Sequence, residues 1–231
     1  MRAAMQPCSA VPLGPHTTLG VGGPARFWVE ARDVEGLRAA LDWATRASQP
    51  VALLGGGSNL LVADEGFPGL VVAIALRGVE VERDGVDALV TAAAGEPWDA
   101  LVARTVEDGL AGLECLSGIP GCVGATPIQN VGAYGREVGE VITRVRVLDR
   151  PSRTLRDLVP ADCAFGYRDS RLKREDAGRY VVLSVTYRLR VGGAPSARYP
   201  ELDRRLAAAG IATPSLADVR AAVLAVRRQK S

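Results

Sequence analysis

The 231-residue sequence has a single histidine, His16. That scarcity nearly excludes a histidine-rich zinc site, and no metal is expected. It also leaves any Ser-His-Asp triad dependent on one residue in a proline-rich lead-in. Four cysteines, at 8, 115, 122 and 163, are irregularly spaced and form no Cys-x-x-Cys pair. This argues against a disulfide framework and for unpaired thiols in a reducing cytoplasm. No apolar stretch approaches the roughly 20 residues of a membrane span. Residues 1–15 lack the apolar core and cleavage site of a signal peptide. Net charge is only +2 and the arginines are scattered, so neither nucleic acid nor a membrane is an expected partner. Chemistry here must use other residue types or be borrowed from a cofactor.

Glycine is where the sequence becomes informative. Gly55, Gly56 and Gly57 interrupt two apolar runs, Val51–Leu54 and Leu60–Val62, that both read as β. Each glycine in a regular element costs about 0.5–1 kcal/mol relative to alanine. A tight turn between strands accounts for the run locally. A bound diphosphate accounts for it functionally, because bare backbone admits an anion and lets consecutive N–H groups converge on it. Ser58 and Asn59 would add side-chain donors.

A second glycine-rich segment covers residues 114–135. Small residues at Gly118, Gly121, Gly124, Ala125, Gly132, Ala133 and Gly135 leave the main chain open to something flat and large. Gln129 and Asn130 offer amides in the middle. An Ω-like loop packed on Ile119, Val123 and Ile128 is the alternative. Long ordered loops are usually functional, and two such elements suit an extended ligand with a diphosphate and an aromatic ring. Neither the Gly-x-Gly-x-x-Gly fingerprint nor a P-loop occurs, so the scaffold is not a Rossmann or P-loop fold.

The order of elements reads as α+β, with two small lobes meeting near residue 76. Helices are predicted over 34–47 (Asp33 as cap), 98–107 and 215–228 (Ser215 as cap). Strands are predicted over 70–75, 141–149 and 180–190, the last central. A hairpin turns at Asp84-Gly85. Residues 109–135 read as irregular.

Four ordered motifs resemble the UDP-N-acetylenolpyruvoylglucosamine reductase family. They are Thr17-Thr-Leu-Gly-Val-Gly-Gly23, Leu54-Gly-Gly-Gly-Ser-Asn-Leu60, the run from Gly112 to Gly135 and Phe165-Gly-Tyr-Arg-Asp-Ser170. The resemblance implies the two-lobed FAD-binding fold shared with vanillyl-alcohol oxidase, with lobe 1 at 1–75 and lobe 2 at 76–231. It implies non-covalent FAD, NADPH as hydride donor and a UDP-sugar enolpyruvyl ether as substrate, in a cytoplasmic monomer. Gly55, Gly56, Gly57, Ser58 and Asn59 would lie near the diphosphate. Ser117, Ile119, Pro120, Gly121, Gly124, Ala125, Gln129, Asn130, Gly132, Ala133 and Tyr134 would follow the rest of the cofactor. Arg168 matches the catalytic arginine that stabilises an enolate, with Tyr167 and Tyr199 as substrate contacts.

At Tyr199 the sequence departs from the family, with Pro200 where glycine is usual. The family's proton-donating serine, in Gly-Ser-Phe-Phe, and its assisting glutamate follow the segment corresponding to Val219–Ser231. The expectation is therefore that the third, substrate-covering domain is absent from this chain, and that Ser231 is not the donor. Two other classes stay open: a different flavin oxidoreductase of the same fold, and a non-catalytic nucleotide-binding module. Covalent flavin attachment is not expected, because no histidine or cysteine stands within the glycine turn.

Overall fold

A computed structural model describes residues 6–196 and 199–229, so Ser231 lies outside the described residues. The chain opens with β1 (Cys8–Pro12), β2 (Pro24–Ala31), α1 (Val34–Arg46), β3 (Val51–Leu54) and β4 (Phe67–Ile74). Leu37, Ala40, Leu41 and Ala44 make the buried stripe of α1, at helical spacing. Asp33 caps that helix, its Oδ1 accepting the Gly36 N–H at 2.6 Å. The first sheet has the order β1-β2-β4-β3, with β2, β4 and β3 parallel and β1 antiparallel at the edge. Central β4 is buried without interruption from Gly69 to Val72, as a two-sided strand must be.

The expected strand over Leu60–Val62 does not form. Its neighbourhood pairs with the loop of residues 13–23 instead. Thr18 N–H donates to the Gly57 carbonyl (3.0 Å) and Gly23 N–H to the Ala63 carbonyl (2.9 Å). A short apolar run gives the same pattern whether it enters a ladder or packs under a loop.

The second sheet begins with β5 (Val79–Asp84) and β6 (Asp87–Ala93), a hairpin turning at Gly85, whose φ is +62°. Then come α2 (Trp98–Glu107), β7 (Leu110–Ala111), α3 (Thr126–Gln129), β8 (Gly132–Ala133) and β9 (Arg136–Glu137). The chain continues through β10 (Ile142–Asp149), β11 (Leu155–Leu158), α4 (Pro160–Cys163), β12 (Tyr180–Val191), α5 (Pro200–Ala208) and α6 (Leu216–Gln229). This antiparallel sheet has the order β11-β10-β12-β6-β5, with β7 also on β12. β12 is indeed central.

The segment expected to be irregular is more ordered than its composition suggests. It holds two single 3₁₀ turns, α3 and the β8–β9 hairpin. Two buried polar contacts fasten it to the second sheet side. Trp98 Nε1 donates to the Leu116 carbonyl at 3.0 Å, and Thr126 Oγ1 meets the Tyr187 hydroxyl at 3.1 Å. One continuous core joins both sheets, α1 and α2, and a smaller one packs α5 and α6 around Cys115.

Candidate functional site

The three glycines after β3 are bare for different reasons. A Cβ on Gly56 would sit 2.8 Å from Gly121 Cα, and one on Gly57, at φ +63°, would strike the His16 carbonyl. Those two permit loops 16–18 and 120–122 to close on the turn. Gly55 is the exception: a Cβ there would meet only Cys122 Cβ, at an ordinary 3.9 Å. Nothing in the protein demands its bareness, and it faces open clefts.

Among the described residues, no backbone N–H of Gly55, Gly56, Gly57, Ser58 or Asn59 finds an acceptor in the chain. Backbone donors are normally paired. Gly55, Gly56 and Asn59 are exposed, so their amides face solvent and are open to an anionic ligand. The Ser58 hydroxyl donates instead to the Pro120 carbonyl, at 3.3 Å, joining the two glycine-rich elements.

Gly55 lines a cleft on each side. One, of about 440 Å³, is open and mixed in polarity, bounded by His16, Thr17, Thr18, Trp28, Glu30 and Arg77. The other, of about 190 Å³, is an apolar slot between β3, β4 and β12, walled by Leu53, Ile74, Ala94, Gly124, Ala125 and Val182. A bare glycine turn at the meeting of a mixed cleft and an apolar slot has room for a dinucleotide with its diphosphate at the turn.

The other sequence-derived positions divide. Pro120 and Gly121 abut the turn, and Gly124 and Ala125 line the slot. Ile119 packs on the main core, and Gln129 ends α3 half-buried. Gly132 and Ala133 form a hairpin strand, where a Cβ on Gly132 would press on the Arg136 carbonyl. Two side chains turn inward. Ser117 is fully buried, its hydroxyl donating to the Glu114 carbonyl at 2.6 Å. Asn130 is buried with its carboxamide engaged by the chain itself. Either would meet a ligand only through main chain, because burying an unpaired polar group is unfavourable and both have found internal partners.

Arg168 sits at the tip of a four-residue loop closed by Gly166 and Asp169, which exchange N–H···O bonds at 3.0 Å. Its φ is +55°, a left-handed conformation costing an arginine about 1–2 kcal/mol. Among the described residues its guanidinium has no carboxylate partner. Asp169 pairs with Arg174 at 2.7 Å, and Asp162 caps Val159 N–H. Tyr167, beside it, is 84% exposed. Tyr199 is the N-cap of α5 with Pro200 in the first turn, which suits proline's fixed φ. Its ring stands edge-on to Tyr134, centroids 5.4 Å apart.

Several neighbours of the turn were not marked as site residues by sequence reasoning. His16, Thr17, Thr18 and Arg77 line the mixed cleft, although Thr17 and Thr18 belong to a quoted motif. Cys122 lies against Gly56, its Sγ 3.3 Å from where a Cβ would be. The absence of histidine and cysteine from the turn's own sequence therefore does not keep them from its surface. Burial raises the Cys122 thiol above its ordinary pKa, which keeps it protonated and a weak nucleophile. Beyond them, Asp99 accepts the Gly118 N–H at 2.6 Å and a two-pronged ion pair from Arg220 at 2.6 and 2.9 Å. The Arg220 guanidinium holds the Asp99 carboxyl below its usual range, against the opposing effect of burial.

The family model for FAD binding domains matches residues 25–158. A UDP-N-acetylenolpyruvoylglucosamine reductase of Saccharopolyspora erythraea is 50% identical, over 99% of this chain and 63% of that protein. One of Nocardia farcinica is 52% identical, over 96% of this chain and 56% of that protein. The crystal structure of UDP-N-acetylenolpyruvylglucosamine reductase from Thermus caldophilus aligns with TM-score 0.69 and 29% identity, covering 97% of this chain and 70% of that one. A VAO-type flavoprotein from Myceliophthora thermophila shares the fold alone, with TM-score 0.56 and 14% identity over 72% of this chain and 32% of that one. The architecture is the α+β, two-lobed FAD-binding fold of the vanillyl-alcohol oxidase type. The chain spans less than two thirds of these curated relatives' length.

Proposed function

The chain belongs to the FAD-binding-domain family, and we propose that it holds FAD non-covalently for a reductase of bacterial peptidoglycan synthesis. The reaction is reduction of UDP-N-acetylglucosamine enolpyruvate to UDP-N-acetylmuramate, with NADPH as reductant. The observation that supports this reading most is the run of acceptor-free amides from Gly55 to Asn59 between two clefts. The names of the relatives supply the substrate.

When bound, FAD supplies the hydride chemistry. The remaining tasks fall to the chain. Backbone amides of the glycine turn hold the diphosphate, and the slot beside it takes a planar ring and excludes water. The Arg168 guanidinium binds the substrate carboxylate through two parallel hydrogen bonds and stabilises the negative charge that spreads into it. Tyr167 and Tyr199 flank the substrate. The two lobes divide at residues 75 and 76, where the two sheets part. The protein works as a cytoplasmic monomer without nucleic acid; among the described residues no helix is long and apolar enough to cross a membrane.

Flavin content and substrate are tested separately. The purified chain should show flavin absorbance, release FAD on denaturation and leave a polypeptide of unmodified mass. A flavin-free chain, or a flavin adduct on Cys122 or His16, would sink the cofactor reading. This chain by itself should turn over the ether negligibly; in a protein of its relatives' full length, NADPH should bleach the bound flavin under anaerobic conditions and the enolpyruvyl ether should restore its colour. Arg168→Met should leave bleaching intact and slow recovery by about 10²-fold or more. Recovery at the parent rate in that variant would remove Arg168 from the reaction.

A further inference from the structure

We propose that Asn130 is a positioning residue for Arg168, holding the arginine's loop in its left-handed shape from behind. This rests on the reading of Arg168 as the carboxylate-binding group. The Asn130 carboxamide is committed on every side. Its Nδ2 donates to the Gly166 carbonyl and to Glu137 Oε2, both at 2.8 Å, and its Oδ1 accepts the Gly139 N–H at 2.9 Å. It is 1% exposed, so these bonds form out of reach of water.

Gly166 is two residues before Arg168. Two residues after it, fully buried Ser170 donates its hydroxyl to the Ile128 carbonyl at 2.6 Å. Both ends of the 166–170 loop are thus stitched to one short stretch, residues 128–130, of the second glycine-rich segment. Between the stitches the Gly166–Asp169 exchange of bonds closes the loop, and Lys173 Nζ donates to the Arg168 carbonyl at 2.9 Å. A left-handed arginine persists only where its surroundings over-determine it. Here those surroundings are the Asn130 amide protons and the Ser170 hydroxyl. The space is kept for them: a Cβ on Gly139 would lie 2.8 Å from Asn130 Oδ1 and 2.9 Å from the Phe165 ring.

The alternative is that Asn130 merely ends α3, where its φ of +45° suits asparagine. A cap needs only that backbone conformation, whereas positioning needs the amide protons. Asn130→Asp separates the two, since aspartate also tolerates the left-handed region but its carboxylate has nothing to donate to Gly166 or Glu137.

The experiment uses the flavin-loaded chain. In Asn130→Asp, hydrogen exchange at the Gly166 and Asp169 amides should quicken by about tenfold or more, the effect of a lost buried hydrogen bond. Exchange in α2 should stay within about threefold of the parent, since that helix is held by separate contacts to Leu116 and Gly118. In a protein of its relatives' full length, binding of UDP-N-acetylglucosamine enolpyruvate, followed by the flavin's absorbance, should weaken in Asn130→Asp and in Arg168→Met. The double variant should be no weaker than Arg168→Met alone. Parent-like exchange at Gly166 and Asp169, or additive losses in the double variant, would overturn the proposal. A parent protein of full length that ignores the ether counts against the substrate reading, while the exchange measurement on this chain still decides whether Asn130 holds the loop. If Asn130→Asp fails to fold, Ser170→Ala removes the other stitch and carries the same exchange test.

Discussion

At the scale of single residues, adjacent glycines separate two kinds of requirement. Gly56 lies against Gly121, so Gly56→Val would force two loops apart before any ligand arrives. Gly55 has room for a side chain on the protein's side and open cleft beyond it. Gly55→Val should therefore leave thermal stability within about 0.5 kcal/mol of the parent, as for an exposed loop position, yet abolish retention of FAD through purification. Full flavin content in that variant would show that the diphosphate lies elsewhere. The sequence announces this turn clearly, because glycine is rarely placed three in a row without need. It cannot say which glycine answers to packing and which to a ligand, since that depends on residues 16 and 121, distant in sequence. Arg168 was legible only through its motif: that it has no ion pair among the described residues depends on Arg174 having taken Asp169.

Among elements, α6 has a task that its periodicity does not reveal. The apolar face of Val219, Ala222, Val223 and Val226 was evident from spacing and is buried as expected. Its polar side is the less obvious part, because Arg220 reaches Asp99 on α2, and Asp99 in turn holds the Gly118 amide. No local pattern links positions 99, 118 and 220. The Asp99 carboxyl titrates lower in the folded chain than in the unfolded one, so its contribution is present above the unfolded pKa, about 3.9, and is lost as pH falls through the lower folded value. With Asp99 41% exposed, screening limits the pair to about 1 kcal/mol or less. Asp99→Asn should accordingly melt up to about 2–4 °C below the parent at pH 7. The gap should close as the pH of paired melts is lowered from 5 towards 3. A gap that stays constant over that range would mean the charge on Asp99 is immaterial. The positions of α1, α2, α6 and the hairpin were readable within a residue or two, since Asp33, Gly85 and Ser215 mark ends, whereas α5 and β2 were not among the expected elements. The 60–62 strand was not, because an apolar triplet under a loop looks the same as one in a sheet.

For the molecule as a whole, the placement of one thin turn sets how a ligand can be gripped. Gly55 belongs to the lining of both clefts, so the two meet at the turn. A molecule that straddles the turn is bivalent, with two weak footholds joined by a short spacer there. Once one end is seated, the other meets its cleft at an effective concentration on the order of millimolar. AMP and FMN, the two halves of FAD, would each fill at most one cleft and lack the link. FAD should bind about 10²–10⁴-fold more tightly than either half, and an equimolar mixture of AMP and FMN should not match it. Calorimetric titration of the flavin-stripped chain measures all three affinities. An FAD affinity no better than that of the tighter half would mean that the two clefts meet without letting one ligand span them.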